Sequence, residues 1–331
     1  MKKLIALSLL LVALGSMAFA DTATVLPAMV GRVRLVPAFM LTPGIWDDKG
    51  KKDSFDNTQQ VFNLGLALEF GIIDWITAAV LWAPGWTPWS SNVMGQKDVT
   101  VNGVADMMIG AKFLILGEKA PIENDMFRFA VTAGVLVPLP GPDVSKEYTK
   151  SKPNMPIDKH VFGIGAWLDF DWLINESFTL NFHNDTRIYP IKQDLKNSMD
   201  YAIYGTAIAT AMLDPDAPNK VKINHKYSMD FELEGSYSMP LADGIILNAG
   251  LPVAYSFTPG KDYSGGGFSM SGKSGYVFSV KPNVGVFLTN TPLPMEFVLQ
   301  YGLPLVGKNA AISHVISLQF KTYFALPGAD I

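Results

Sequence analysis

The chain has 331 residues with 26 basic and 30 acidic side chains, and a net charge of −4 leaves no basic stripe for nucleic acid. It contains no cysteine, which excludes disulfides, thiolate metal sites and a lipid anchor on an N-terminal Cys. Charged residues are only 17% against 49% apolar ones, where a soluble domain carries roughly 25% charge; yet after Ala20 no apolar run approaches the ~18 residues of a spanning helix.

In chain order, Lys2 and Lys3 precede an apolar run over 4–14, and Ala18-Phe19-Ala20 stands before Asp21. This predicts a secretory signal peptide over 1–20. Its removal takes two lysines and no acids, moving the net charge from −4 to −6. The first strand is expected over 26–41, with Arg32 and Arg34 alternating against Val33 and Leu35, followed by a polar loop over 42–57. Residues 61–82 read as a hairpin. Phe62, Leu64, Leu66, Leu68 and Phe70 alternate with Asn63, Gly65, Ala67 and Glu69, and a period of two puts these sets on opposite faces of a strand.

A loop over 85–102 leads to a strand at 104–115, where Asp106, Met108, Gly110 and Lys112 oppose Met107, Ile109, Ala111 and Phe113. The strand at 126–138 carries Arg128. After a loop over 141–160, residues 161–173 place Gly163, Gly165, Trp167, Asp169 and Asp171 on one face. In 178–190, His183, Asp185 and Arg187 share a side. The longest connection, 191–226, has an Ala-rich middle at 199–213 without period two, predicting a short helix at the barrel mouth. Residues 227–238 bring Asp230, Glu232 and Glu234 together. A Gly/Ser-rich loop over 258–275 separates strands at 245–257 and 276–288, the latter with Lys281. Strands at 295–306, with Glu296, and 312–324, with Lys321, complete the series.

Twelve strands joined by alternating long and short connections, after a signal peptide, predict an all-β fold: one transmembrane antiparallel β-barrel over 21–331 in an outer membrane, both ends periplasmic. Pro37, Pro84, Pro138, Pro190, Pro252 and Pro304 recur about every fifty residues, and the expectation is that each ends an upward strand before an outside loop. Aromatics fall at two levels, Trp75, Trp172, Tyr237 and Phe297 by short turns and Phe162, Tyr227 and Tyr255 by long loops, as membrane girdles do. A secreted β-sandwich is the alternative, and it needs neither girdles nor alternating loops.

Gly71-Ile72-Ile73-Asp74-Trp75 and the run Gly103-Val104-Ala105-Asp106-Met107-Met108-Ile109-Gly110-Ala111-Lys112-Phe113, with the strand ending Val137-Pro138-Leu139-Pro140-Gly141, carry a family likeness. Over about 60–142 the chain resembles the outer-membrane transporter family found in phenol-degradation gene clusters, itself distantly similar to fatty-acid transporter barrels. The resemblance implies passage of small, often hydrophobic compounds and assigns no contacting residues. Such barrels end on an aromatic residue; Phe324 takes that part here, although the sequence continues through 325–331.

A charge facing lipid near the bilayer centre costs about 2–4 kcal/mol, so the polar set must face the lumen. The lumen candidates are Arg32, Arg34, Glu69, Arg128, Asp169, Asp171, His183, Asp185, Asp230, Glu232, Glu234, Lys281 and Lys321. Arg32, Arg34 and Lys321 lie opposite Asp230, Glu232 and Glu234, which admits either a field across an open pore or a plug of paired charges. Asp169 should lie across from His183, the raw material of a general base. No serine stands in a lipase-like arrangement with His160, His183, His225 or His314, so the expectation is no enzyme, no metal and no cofactor. The expected function is an outer-membrane channel or passive transporter for small solutes. The alternative is a surface-interaction barrel working through its loops. Expected partners are the lipid bilayer, the barrel-assembly machinery and a small solute; the oligomeric state is left open.

Overall fold

The computed structural model describes residues 22–92, 100–151, 153–157 and 159–327, so the expected signal peptide lies outside the described residues. Twelve strands form one closed antiparallel barrel. They are β1 (Val30–Trp46), β2 (Lys52–Ile73), β3 (Ile76–Ser91), β4 (Met107–Leu116), β5 (Phe127–Val137) and β6 (Gly163–Leu173). Then follow β7 (Phe178–Tyr189), β8 (Lys226–Ala242), β9 (Ile245–Thr258), β10 (Gly275–Val280 and Asn283–Leu288), β11 (Met295–Lys308) and β12 (Ala310–Ala325). Each pairs with its neighbours in sequence, and β1 closes on β12 from Val30 opposite Ala325 to Trp46 opposite Ala310.

The alternation of the sequence decides which way each strand faces. Leu68 is 52% exposed on the outside, whereas Glu69 beside it is 6% exposed. The outer face also shows Trp172, Tyr237, Phe297, Phe162, Tyr227 and Tyr255. A contiguous apolar exterior of this extent would be untenable in water and is what a barrel presents to lipid. At the closing seam Phe324 stands opposite Gly31, and a Cβ at Gly31 would fall within the Phe324 ring.

Several expected loops are instead extensions of the barrel. The polar stretch 42–57 is mostly strand: β1 and β2 run on to a turn over 47–51, with Gly44 opposite Ser54 and Trp46 opposite Lys52. Polarity misled here because strands that project beyond the bilayer meet water on both faces. The stretch 258–275 contains a hairpin, Asp262–Gly265 with Phe268–Ser271.

The prolines need a like correction. Pro138 and Pro190 follow strand ends, but Pro37, Pro84, Pro252 and Pro304 lie inside β1, β3, β9 and β11. They sit where the ladder is irregular. The β1–β12 pairing skips Pro37, the β2–β3 register shifts across Pro84 and Gly85, and the β10–β11 register shifts beside Pro304. Pro252 lies opposite the gap at 281–282 that splits β10. A residue without an N–H is placed where no ladder bond is required, and that need not be a strand end.

Both ends of the barrel are filled. At the short-turn end, residues 22–29 turn inward. The Ala23 N–H donates to both carboxylate oxygens of Asp171 at 3.1 Å, Lys112 Nζ donates to the Thr22 carbonyl at 2.8 Å, and the Leu26 N–H donates to Thr77 at 2.8 Å. At the opposite mouth, Val101, Ala105, Val144, Met155, Ile157, Met199 and Ile203 from three connections pack on Met40 and Val61 of the barrel wall. Asp106 ties two of these segments together, accepting from the His160 N–H at 2.9 Å and the Leu139 N–H at 3.3 Å.

Above them is a small cap. Helices α1 (Val144–Glu147), α2 (Asp200–Met212) and α3 (Ala217–Lys220) lie with a four-stranded sheet of Gln193–Asp194, Lys222–Asn224, Asp262–Gly265 and Phe268–Ser271. Leu195, Ile208, Ala217, Val221, Ile223 and Tyr263 form its core. Buried Asp200 is held by Lys261 at 2.7 Å and by the Tyr263 hydroxyl at 3.0 Å.

Two outcomes are expected. A Cβ at Gly71 would lie 2.0 Å from the Pro27 carbonyl oxygen, so Gly71→Val should expel residues 22–29. Limited proteolysis from the short-turn side should then cut the segment at least several-fold faster than in the parent chain. In the cap, His225 is fully buried, 2.7 Å from Gln193, and burial, then Lys261 and Lys159, hold its pKa well below the ordinary 6.5. The folded imidazole stays neutral while the unfolded one takes a proton below 6.5. The cap is therefore at full stability above pH 6.5 and loses it as pH falls further. Amide protection factors over 193–225, with exchange referred to the intrinsic rate at each pH, should fall between pH 7 and pH 5, and His225→Gln should flatten that dependence.

Candidate functional site: the lumen

Side chains that face inward form tiers, because strand register carries one residue per strand around the wall. One tier is apolar along β2 to β5, and in register it continues as Arg34 and Lys321 on β1 and β12. Ala67, Leu81, Met108 and Leu136 stand in register on β2 to β5, continued by Gly163 with Tyr189 beside it. Val161 and Trp167 join them in one buried cluster.

The next tier is small on four strands, Ala79, Gly110, Gly134 and Gly165, and is flanked in register by Glu69 and Arg187. Below it come Thr77, Lys112, Thr132, Trp167, Asp185 and Asp230, again in register. The last tiers are ionic, with Asp169, His183 and Glu232, then Arg128, Asp171, Asn181 and Glu234.

The charges pair with near neighbours. Glu69 takes both the Arg32 Nε and Nη2 at 2.6 Å and lies 3.5 Å from Arg34. Asp169 lies 3.1 Å from Lys112 Nζ and 2.6 Å from His183 Nδ1. Arg187 Nη2 reaches Asp185 at 2.6 Å, Lys281 reaches Glu232 at 2.8 Å, and Lys321 reaches Glu296 at 3.0 Å. Asn283 donates to Glu234 at 2.8 Å. Arg128 stands across from Asp171, and Asp230 across from Asp185.

All thirteen candidates therefore lie on barrel strands or, for Lys281, in the gap of β10. The basic residues of β1 and β12 and the acidic ones of β8 do sit apart, but each group has counter-charges within reach. Glu69 and Glu296 flank the former and Lys281 the latter. Such pairing cancels most of a transverse field, since opposite charges in contact look neutral beyond a few ångströms. Asp169 and His183 do meet, with Lys112 on the same carboxylate; the arrangement is an ion cluster beside residues 22–29.

Reading by charge alone missed the apolar tier. The signal was present: Met108 and Trp167 sit in the inward-facing set of their own strands, yet neither is a polar residue.

No family model matches the chain, and no curated protein matches it. Among solved structures, an outer membrane channel from Pseudomonas putida F1 superposes with a TM-score of 0.63 at 13% identity, covering 91% of this chain and 98% of that one. The fold is that of an outer-membrane β-barrel. The NanC porin has a TM-score of 0.42 at 7% identity, covering 89% of this chain and 100% of that one. A monoaromatic hydrocarbon channel, CymD, has 0.41 at 7%, covering 91% and 89%.

Glu69→Gln tests the ionic tier, because it leaves Arg32 and Arg34 without their shared carboxylate. Breaking a buried pair costs about 3–5 kcal/mol, so the denaturant midpoint of the folded barrel should fall markedly. Glu69→Asp should recover part of that loss.

Proposed function

We propose that this chain is a passive outer-membrane transporter for small hydrophobic solutes, and that it performs no catalysis. The observation that carries the reading is the apolar tier inside the barrel. The lumen of a water-filled pore is polar, whereas here Leu81, Met108, Leu136 and Tyr189 form a buried apolar cluster on one side of the inner wall. An apolar wall within a lumen costs free energy in water and is recovered only when an apolar solute covers it, at about 25 cal/mol per Å² removed from water.

The fill at both ends fits the same reading. A pore closed by a cap and by residues 22–29 retains ions and polar metabolites, and an apolar molecule needs only transient gaps between packed side chains. The resemblance of residues 60–142 to the transporter family, and the fold shared with an outer membrane channel, support transport over a surface-interaction role. The paired charges of the lower tiers hold the inner segment in place. We assign Asp171, Lys112 and Thr77 that holding role rather than ion selection.

The test is uptake of radiolabelled toluene by Gram-negative cells with and without the protein. Faster initial uptake with the protein is expected; equal rates sink the proposal. Leu136→Asp, which places a carboxylate in the apolar tier, should cut the protein-dependent rate about ten-fold or more, since a buried unpaired charge costs several kcal/mol.

A further inference from the structure

Between the apolar tier and the ionic ones lies an arrangement that neither polarity nor packing explains. Gly110, Gly134 and Gly165 stand side by side on three adjacent strands, leaving a floor of bare backbone. The thioether of Met108 lies across it: Cβ atoms at Gly134 and Gly165 would each come within 2.8 Å of Met108 Cε. Methionine is the most adaptable apolar side chain, and it vacates such a place at low cost by rotating.

At the edge of this floor, one tier down, are two polar side chains without partners. Thr132 Oγ1 and Trp167 Nε1 are buried and make no hydrogen bond, although their residues are register neighbours on β5 and β6. Thr132 is 2% exposed and Trp167 8%. Both line a cavity of about 20 Å³ that is bounded also by Ala79, Leu81, Leu26 of the inner segment and the charged Arg32, Glu69 and Lys112. That volume takes one oxygen atom and little more. A buried donor left unmade costs about 1–3 kcal/mol, so two side by side mark a place meant to be filled.

The chemistry of the filler follows from what surrounds it. The neighbouring charges have partners, Lys112 with Asp169, Arg32 with Glu69 and Arg187 with Asp185, and a neutral group adds no further charge to them. Trp167 Nε1 can only donate, and the Thr132 hydroxyl donates or accepts. A neutral hydroxyl answers both, accepting from the indole and donating to, or accepting from, the threonine. The floor beside it asks for a small, flat or slender apolar body in the space of the Met108 side chain.

We propose that Thr132 and Trp167, with the floor of Gly110, Gly134 and Gly165, form a solute subsite in the barrel wall. It takes a small apolar alcohol, with the apolar part displacing Met108 and the hydroxyl held between Trp167 Nε1 and Thr132 Oγ1. The inference rests on the transport reading and narrows it to a solute class.

The test uses the full chain labelled with 5-fluorotryptophan in lipid nanodiscs. The Trp167 fluorine resonance is assigned by its loss in Trp167→Phe. Benzyl alcohol and toluene are matched probes that differ by the hydroxyl. Benzyl alcohol should shift the Trp167 resonance saturably, with an apparent affinity roughly five-fold or more tighter than toluene, the worth of one hydrogen bond. Thr132→Val, which leaves only the indole N–H for the hydroxyl, should narrow the difference between the two affinities, and Gly134→Leu should abolish both responses. Retained heat-modifiable gel mobility shows that each variant still forms the barrel.

An unmoved Trp167 resonance overturns the subsite. Equal affinities in the parent chain, or a preference that Thr132→Val leaves undiminished, mean that the gap holds water only and also overturn it. Toluene uptake by cells is read separately. Protein-dependent uptake with either negative result rejects the subsite alone, and absence of uptake rejects the transport reading itself.

Discussion

The pairing of β1 with β12 is the constraint on which the rest depends. Lipid offers no hydrogen bonds, so a sheet in it must have no edge. The ladder from Val30–Ala325 to Trp46–Ala310 removes the last one. Once the sheet is closed, each strand has one face in lipid and one in a confined interior. Leu66 and Leu68 must then go out, and Asn63, Ala67 and Glu69 must go in. The register that closes the seam also brings Arg34 directly opposite Lys321. Two like charges at that position are tolerable because Glu69 and Glu296 stand on either side of them.

The interior is divided by height along β2 to β6 and also by side, since the apolar tier of β2 to β5 continues as Arg34, Lys321 and Glu296 on β1, β12 and β11. Ionic tiers occupy the short-turn half, where they fix residues 22–29 through Asp171 and Lys112. The apolar tier lies toward the loop-filled mouth, with the glycine floor between. A polar, buried network is stable only if its charges are compensated, and Glu69 with Arg32, Asp169 with Lys112 and Glu232 with Lys281 supply that compensation. The apolar wall has no such requirement and can remain without a solute. This difference lets one half of the barrel be a rigid lock and the other a receptive surface.

Much of the fold could be read from residue order because the barrel's signals are local. Strand faces follow from period two, and Phe62 to Phe70 already showed it; the strand total follows from turn signals. Lengths did not follow, since β1 and β2 continue into water through 42–57, where polarity resembles that of a loop. The prolines were legible as irregularities but not as strand ends, because a bulge and a terminus ask the same thing of a residue without an N–H. For the lumen, charged residues were identifiable one by one, while their partners were not. Arg32 with Glu69 is a nearest-strand pair, but Lys112 reaches past β5 to Asp169 on β6.

The sequence by itself determined that the chain is a barrel, which side chains face inward, and that the interior carries acids and bases in separate groups. Those are properties of each strand's own alternation and order. Only the tertiary structure decided that the charges cancel in pairs, that the inner segment and the cap close the ends, and that Thr132 and Trp167 meet without a partner beside three glycines. Those facts depend on register between strands and on where connections fold back. A one-residue slip leaves every residue's identity intact but changes every neighbour across the wall.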